Sequence, residues 1–471
     1  MEARYEARKR ALLDECSVAP EIFDEVLPRL EHFMEPFVES LVRLEQVAHA
    51  RLFVQGLLSD VDHKNAESIA YRFGQDRMPL QWFLGVSPWA HEPLRDELVR
   101  QVGETLGEAE GVLVFDPSAF SKSGQASVGV GRQWCGRLGK IDNCQVAVYM
   151  GYVSGHEHAL VDTRLYLPKE WTKDKERRLK AGVPPEVRFR TRHQLCLEML
   201  QQHGAHLPHS WITGDDEMGR PSWFRQRLDA LGERYLLAVP SNTNIRDLHL
   251  DPPPYSGRGR HPKRPWTGVD VWVAGRDEAD WTQVEVRDGS KGPLTVELVQ
   301  RRVVARTEKR QEGPEEVLVV LRYKDRDQHV LKTDYYLSNA RPDTPHAAFA
   351  RAAKAEQRIE ECLQRAKSQA GLADYEVRNW KGWHHHQILS LLATWFLVTE
   401  ARRGKKWTPA ITVPQIRQGI SAILHRLCGC DTPAHITHER ELRLRRNELA
   451  RLYHWKQRKR LAPLNINKRR I

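Results

Sequence analysis

The sequence has no run of 18 or more apolar residues, so nothing in it reads as a membrane-spanning helix. Its first residues, MEARYEARKRALLDE, lack the apolar core of a secretion signal. Cysteine is scarce: seven residues, an odd number, scattered at positions 16, 135, 144, 196, 362, 428 and 430. That excludes a disulfide framework as the main source of stability and suggests a reducing, cytoplasmic setting. Phosphate-cradling glycine loops are also lacking, because the GVG at 129–131 and the GRG at 257–259 are too short.

What is present is charge. The chain has 471 residues, 29% of them charged, and a mean hydropathy of -0.60, which suits a large water-facing protein of two to four structural units. The net charge of +11 is unevenly placed. Residues 1–100 hold 12 Lys/Arg against 18 Asp/Glu, whereas residues 401–471 hold 18 against 4. A basic tail of this kind is the electrostatic footprint of a polyanion, so nucleic acid is the expected partner and a nucleoid-associated location follows.

The stretch that organises the chain is GVLVFDPSAFSKSG, residues 111–124. Its apolar run from Val112 to Phe115 reads as a buried strand delivering a carboxylate, Asp116, after which Pro117 is expected to stop the ladder. A charge at the exit of a buried strand costs free energy unless it is paired, and a metal ion is the usual partner there. Strand patterns follow at Gln145–Val153 and Ala159–Leu167, then a helix at Thr191–His203, and a short strand, Trp211–Gly214, ending on Asp215. A helix at Trp223–Leu231 and a strand at Tyr235–Val239 complete the series. Three antiparallel strands followed by helix, strand, helix, strand is the order of an RNase H-like fold, in which the first and fourth strands are neighbours. Asp116 and Asp215 would then converge. Asp216 and Glu217 compete for the second role, and the acidic cluster also suits a plain helix N-terminus.

The flanking regions read as follows. Residues 1–105 have helical periodicity, and Lys64–Arg72 with the following FGQDRMPLQWFLGVSPW resembles two helices around a turn, the pattern of a DNA reader and equally of an ordinary helical domain. Residues 106–240 form the first part of the core. Residues 241–342 begin with a basic, proline-rich loop bearing Arg258, Arg260, Lys263 and Arg264, all suited to phosphates. Strand-like runs follow at Val269–Val273, Thr282–Val286, Leu294–Val304, Val317–Tyr323 and Thr333–Leu337, so a β-rich insertion is expected. Residues 343–400 return to the core. Within them 346–370 is a helix with Ile359, Leu363 and Ala366 on its apolar face, Glu360 at the edge of that face, and Lys367 two turns further on. Glu356 and Glu361 compete with Glu360. Residues 401–471 form the basic helical tail. His425, Cys428, Cys430, His435 and His438 are a weak zinc pattern, and His384–His386 reads as packing or a DNA contact before metal.

Beyond this reading, the stretches FDPSAFSKSG, SVGVGRQWCGRLGKIDNCQ, RLYLPKEW, GDDEMGRPSWFRQRL, YLLAVPSNT and RIEECLQRAKSQAGLADYEVRNWKGWHHH resemble DDE transposases of bacterial insertion sequences, in the IS701 family of the IS4-like group. The resemblance implies a catalytic and metal-binding triad of Asp116, Asp215 and Glu360, with the β-rich segment inserted between the second Asp and the Glu. Arg358 and Lys367 stand near the Glu, as in the family's tyrosine–arginine–glutamate–lysine signature, although no tyrosine precedes Glu360 at the expected distance. Two Mg²⁺ ions, with Mn²⁺ as a substitute, would serve phosphodiester cleavage and joining. The expected partners are double-stranded DNA, as element ends and target, and a second copy in a dimer on DNA. Lys122, Arg132, Lys140 and Lys367 are expected to position phosphates, together with Arg458, Lys459 and Arg460 of the tail. Two other outcomes are an inactive DNA-binding protein on the same fold, and a nuclease that cuts without joining.

Overall fold

The computed structural model describes residues 17–428, apart from 290–291, 326–327 and the side chains of 286–294, together with scattered positions from 437 to 459. Among the described residues a 3-10 turn, Pro20–Phe23, is followed by five α-helices: α1 Val26–Val38, α2 Leu44–Leu58, α3 Ala66–Arg72, α4 Arg77–Gly85 and α5 Glu92–Leu106. Asn65 and Asp76 cap α3 and α4 with their side chains, accepting from Ser68 N and Met78 N. The outward face of α4 carries Met78, Trp82 and Val86, and Arg77 is tied to Glu67 at 3.0 Å.

Strands β1 Val112–Ser121, β2 Gly131–Cys135, β3 Lys140–Val153 and β4 His158–Tyr166 follow. Two short helices, α6 Lys169–Lys173 and α7 Lys175–Lys180, lead to α8 Arg192–His203. Then come β5 Trp211–Gly214, α9 Asp216–Gly219, α10 Ser222–Ala230 and β6 Tyr235–Ala238. The β-rich stretch holds β7 Asn244–Asp247, β8 Thr267–Gly268, α11 Val269–Ala274, β9 Thr282–Gly289, β10 Gly292–Arg306, β11 Glu312–Lys324 and β12 Val330–Ser338. Three helices close the described core: α12 His346–Gln369, α13 Trp380–Gly404 and α14 Val413–Leu427.

All these strands join one mixed sheet, so the molecule is α/β, with helices before and after the sheet among the described residues. Its first half runs in the order β4-β3-β1-β5-β6, with β1–β3 and β3–β4 antiparallel and β1–β5 and β5–β6 parallel. The β-rich stretch continues the same sheet, because β12 pairs antiparallel with β6. One large core joins the N-terminal helices, the sheet and α12–α14, and a smaller one, around Trp272, Val303 and Leu318, lies under the β-rich stretch. Among the described residues no helix is long and apolar enough to cross a membrane.

Three expectations are corrected. The segment Val269–Val273 is helical: its alternation of valines imitates a strand, but the buried residues are Val269 and Trp272, one helical turn apart. Strand β1 does not stop at Pro117; it runs on to Ser121 against β3, and only the pairing with β5 ends, at Phe115. A proline is tolerated where one neighbouring strand has turned away, since no donor is needed on that edge. Finally, the glycine-rich stretch after β1 contains a strand of its own, β2, paired with the start of β3 as a ribbon.

Candidate active site

The parallel register Val112↔Trp211 through Phe115↔Gly214 makes Asp116 and Asp215 the next residues on adjacent strands. Neighbouring strands lie about 4.8 Å apart, so the two carboxylates leave the sheet side by side. Asp116 keeps some solvent access, yet the protein around it is dense, and burial is the first cause holding its pKa well above the usual carboxylate range. Asp215 and Glu360 add to that rise in turn, and Lys367 opposes it. Asp215 is pushed up to about 7, again by burial first. Its Oδ1 accepts from Met218 N at 3.0 Å, so it caps α9 as well as facing Asp116.

The rivals to Asp215 are committed elsewhere: Asp216 pairs with Arg220 at 2.9 Å and Glu217 with Arg192 at 2.5 Å. On α12, Glu361 pairs with Arg358 at 2.8 Å and lies beside His158. Glu356 and Glu360 are one helical turn apart, and both act on Asp116. Glu360 is exposed. Glu356 accepts from the Tyr336 hydroxyl at 3.3 Å, and burial, with Asp215 next, pushes it up to about 8. Helix α12 can lie this close because Gly151 of β3 has no side chain: a Cβ there would sit 3.1 Å from Ile359 Cδ1.

Lys367 reaches the same place from two turns along α12. Its Nζ donates to Ser118 Oγ at 2.7 Å, two residues beyond Asp116. Burial lowers its pKa, and Asp116 is the first cause opposing that. The other expected phosphate contacts are dispersed. Lys122 donates to the Tyr375 carbonyl at 3.2 Å and stacks over that ring at 3.6 Å, with its pKa drawn down to about 8 by burial. Arg358 is occupied by Glu361, and Lys263 pairs with Glu312 at 2.8 Å. Arg264 donates to the Leu250 carbonyl, while Arg258 and Arg260 stand exposed on the same loop. Arg132 and Lys140 are exposed on the β2–β3 ribbon. Lys459 lies over the Trp455 ring, and Arg458 and Arg460 fall outside the described residues.

Of the candidate metal sites, His425 pairs with Asp60 at 2.9 Å, and Cys430, His435 and His438 lie outside the described residues. The rings of His384, His385 and His386 are buried and hydrogen-bonded to the carbonyls of Trp380, Leu84 with Trp89, and Gly371. Among the described residues no group of three or more His, Cys, Asp or Glu side chains is gathered tightly enough to hold a metal ion. Asp116 and Asp215 do supply two oxygen-only donors side by side, which is as many carboxylates as Mg²⁺ usually takes beside water and phosphate. Their upward shifts are relieved by positive charge from any source, and Lys367 supplies part of it.

Sequence reasoning did not find Ser118, the seat of Lys367, or the Tyr336 hydroxyl on Glu356. Both pairings are tertiary and leave no local pattern.

A family profile for the DDE superfamily endonucleases matches residues 36–293, more than half of the chain. The chain belongs to that family. The match includes Asp116 and Asp215 and ends before Glu360. The chain is also 31% identical, over 199 residues, to a protein of Microchaete diplosiphon named as a probable transposase for insertion sequence element IS701. The alignment covers 41% of this chain and 49% of that protein, so the chain spans about half of its relative's length. Among solved structures, a piggyBac transposase synaptic complex with hairpin DNA aligns over 90% of this chain and 82% of its own at 10% identity and a TM-score of 0.37, too low to bear on fold or function.

Proposed function

We propose that this DDE endonuclease is an insertion-sequence transposase, which cuts the ends of its element and joins the freed 3′-hydroxyl to target DNA. The observation that carries the reading is the parallel register that delivers Asp116 and Asp215 side by side beneath the helix of Glu360. The order β4-β3-β1-β5-β6, with its two antiparallel and two parallel pairings, supports an RNase H-like core. On this reading residues 106–240 and 343–400 make the core, 241–342 its insertion, 1–105 the helical N-terminal part and 401–471 the basic tail. Double-stranded DNA is the partner, bound by two copies.

Asp116, Asp215 and Glu360 would hold two divalent cations, Mg²⁺ or Mn²⁺. Bound there, such ions lower the pKa of an attacking water or hydroxyl and stabilise the leaving oxygen. The rest is done by the chain. Asp215 keeps its orientation because Oδ1 accepts from Met218 N. Lys367 Nζ, steadied by Ser118, is placed to meet a phosphate oxygen beside Asp116. Glu360, on the exposed side of α12, approaches from the side open to DNA.

The test is a strand-transfer assay on element ends with wild type, Asp116→Ala and Asp215→Ala. Wild type should cut and join, and each variant should lose at least about a thousandfold in rate, the scale of removing a charged group from a phosphoryl-transfer site. Variants that join ends like wild type would overturn the assignment. Wild-type products that are cut but never joined would identify a nuclease instead.

A further inference from the structure

The β2–β3 ribbon has two unlike faces. Inward, Gln133, Cys135 and Cys144 are buried, with Gln133 Nε2 donating to the carbonyls of Gly129 at 3.3 Å and Cys144 at 3.0 Å. Outward, Trp134 and Ile141 form a cross-strand pair, and they are 55% and 57% exposed. Leu138, 43% exposed, sits at the tip, where Gly139 closes the turn in the left-handed conformation. Exposed Arg132, on the same face two residues before Trp134, and Arg137, in the turn, flank these apolar groups, whereas Lys140 lies opposite Cys135 on the other face. The one local acid is Asp142, 3.6 Å from Lys140.

A ribbon that holds a tryptophan in water, flanked by two arginines, suits a polyanion that also has apolar faces. Nucleic acid is such a ligand, since phosphates meet the cations and bases stack on aromatic side chains. In an intact duplex the base faces are hidden and the grooves present polar edges, so Trp134 and Ile141 find a surface only where bases are unstacked. The ribbon also stands beside the carboxylates. Arg137 is close enough to bear on the charge of Lys367, whose Nζ rests on Ser118. Ser121, at the end of β1, lies 3.8 Å from Cys135 Sγ on the ribbon's inner face.

We infer that the β2–β3 ribbon is a wedge: Trp134 and Ile141 stack on unpaired bases at the DNA end being cut, while Arg132 and Arg137 hold the flanking phosphates. The inference rests on the transposase reading and adds to it a strand-opening element and its ligand, locally melted DNA. It is tested with a duplex bearing the terminal repeat of the mobile element that encodes the chain, with 2-aminopurine next to the cleaved phosphate. Binding of wild type should raise the fluorescence severalfold, as the base leaves the stack. Trp134→Ala should lose most of that rise and cut the paired end about tenfold more slowly, the scale of one lost base stack. Mismatches at the same position should restore its rate to within about twofold, and Trp134→Phe should resemble wild type. If wild type cuts and Trp134→Ala matches it in fluorescence and rate, the wedge is wrong and the transposase reading stands. If the variant instead only shifts the sedimentation of the free protein toward smaller species, the patch joins two copies and the wedge is likewise wrong. If wild type neither binds nor cuts the end, the transposase reading falls, and the wedge with it.

Discussion

Burial makes the charged forms of Asp116 and Asp215 costly in the fold, so both carboxyls hold their protons to higher pH than in the unfolded chain. A carboxyl whose pKa rises on folding binds more protons in the native than in the unfolded chain, between its ordinary value near 4 and its raised value. Over that interval stability falls as pH rises; for Asp215 the interval runs from about 4 to about 7. In metal-free buffer at pH 8, Asp116→Asn should therefore unfold at a higher temperature than wild type, by roughly 1–3 kcal/mol of stability. The advantage should vanish as pH falls toward 4, and thermal unfolding across pH measures it directly. Addition of Mg²⁺ should raise the wild-type midpoint and leave that of the double variant Asp116→Asn with Asp215→Asn unmoved. The third carboxylate is separable in the same way. Glu360→Gln should abolish cleavage, whereas Glu356→Gln, which keeps the Tyr336 hydrogen bond and removes a buried acid, should retain it and gain stability. The reverse pattern in a cleavage assay would move the role one turn along α12.

At the scale of elements, the site depends on short turns and one buried helix. A Cβ on Gly219 would lie 1.8 Å from the Ala238 carbonyl oxygen, so the α9 turn fits only a glycine there. Gly219→Ala should cost about 2–4 kcal/mol in denaturant unfolding and also lose cleavage, because the same turn fixes Asp215. Helix α13 buries His384, His385 and His386, with pKa values lowered by burial to about 3, 4 and 4. Unfolded, each would take a proton near 6.5, so their contribution is complete above that pH and is lost as pH falls toward 4. Replacing His386, whose Nε2 bonds the Gly371 carbonyl, with Asn should narrow this acid loss in a pH series of unfolding midpoints. The strands that deliver Asp116 and Asp215 were legible in the sequence because each is a short apolar run ending on an acid, and the helix of Glu360 because its apolar residues recur at helical spacing. The registers were not, since pairing is decided between segments about 100 residues apart. The β2 strand hid in a glycine-rich stretch, and the valines of α11 imitated strand alternation. The ion pairs of Asp216, Glu217 and Glu361 with Arg220, Arg192 and Arg358 left no pattern in the sequence either.

Across the whole molecule the charge is polarised, from an acidic first hundred residues to a basic last seventy. Such a distribution disfavours DNA along the N-terminal helices and favours it at the other end of the chain. Residues 455–471 alone hold seven Lys and Arg and no acid. Each phosphate neutralised releases condensed counterions, and the slope of log affinity against log salt changes by about 0.9 per contact on duplex DNA. If half of these seven side chains touch phosphate, deleting residues 455–471 should flatten the slope by about three and weaken binding most at low salt. Cleavage of ends supplied at saturating concentration should survive the deletion, because among the described residues the core that carries Asp116, Asp215 and the helix of Lys367 is built from Ile22 to Leu424. A titration from about 50 to 200 mM salt with wild type and the deletion variant distinguishes the cases. An unchanged slope would mean that the tail does not face phosphate at all, and that the counterions are released by contacts nearer the carboxylates, where the ribbon carries Arg132 and Arg137.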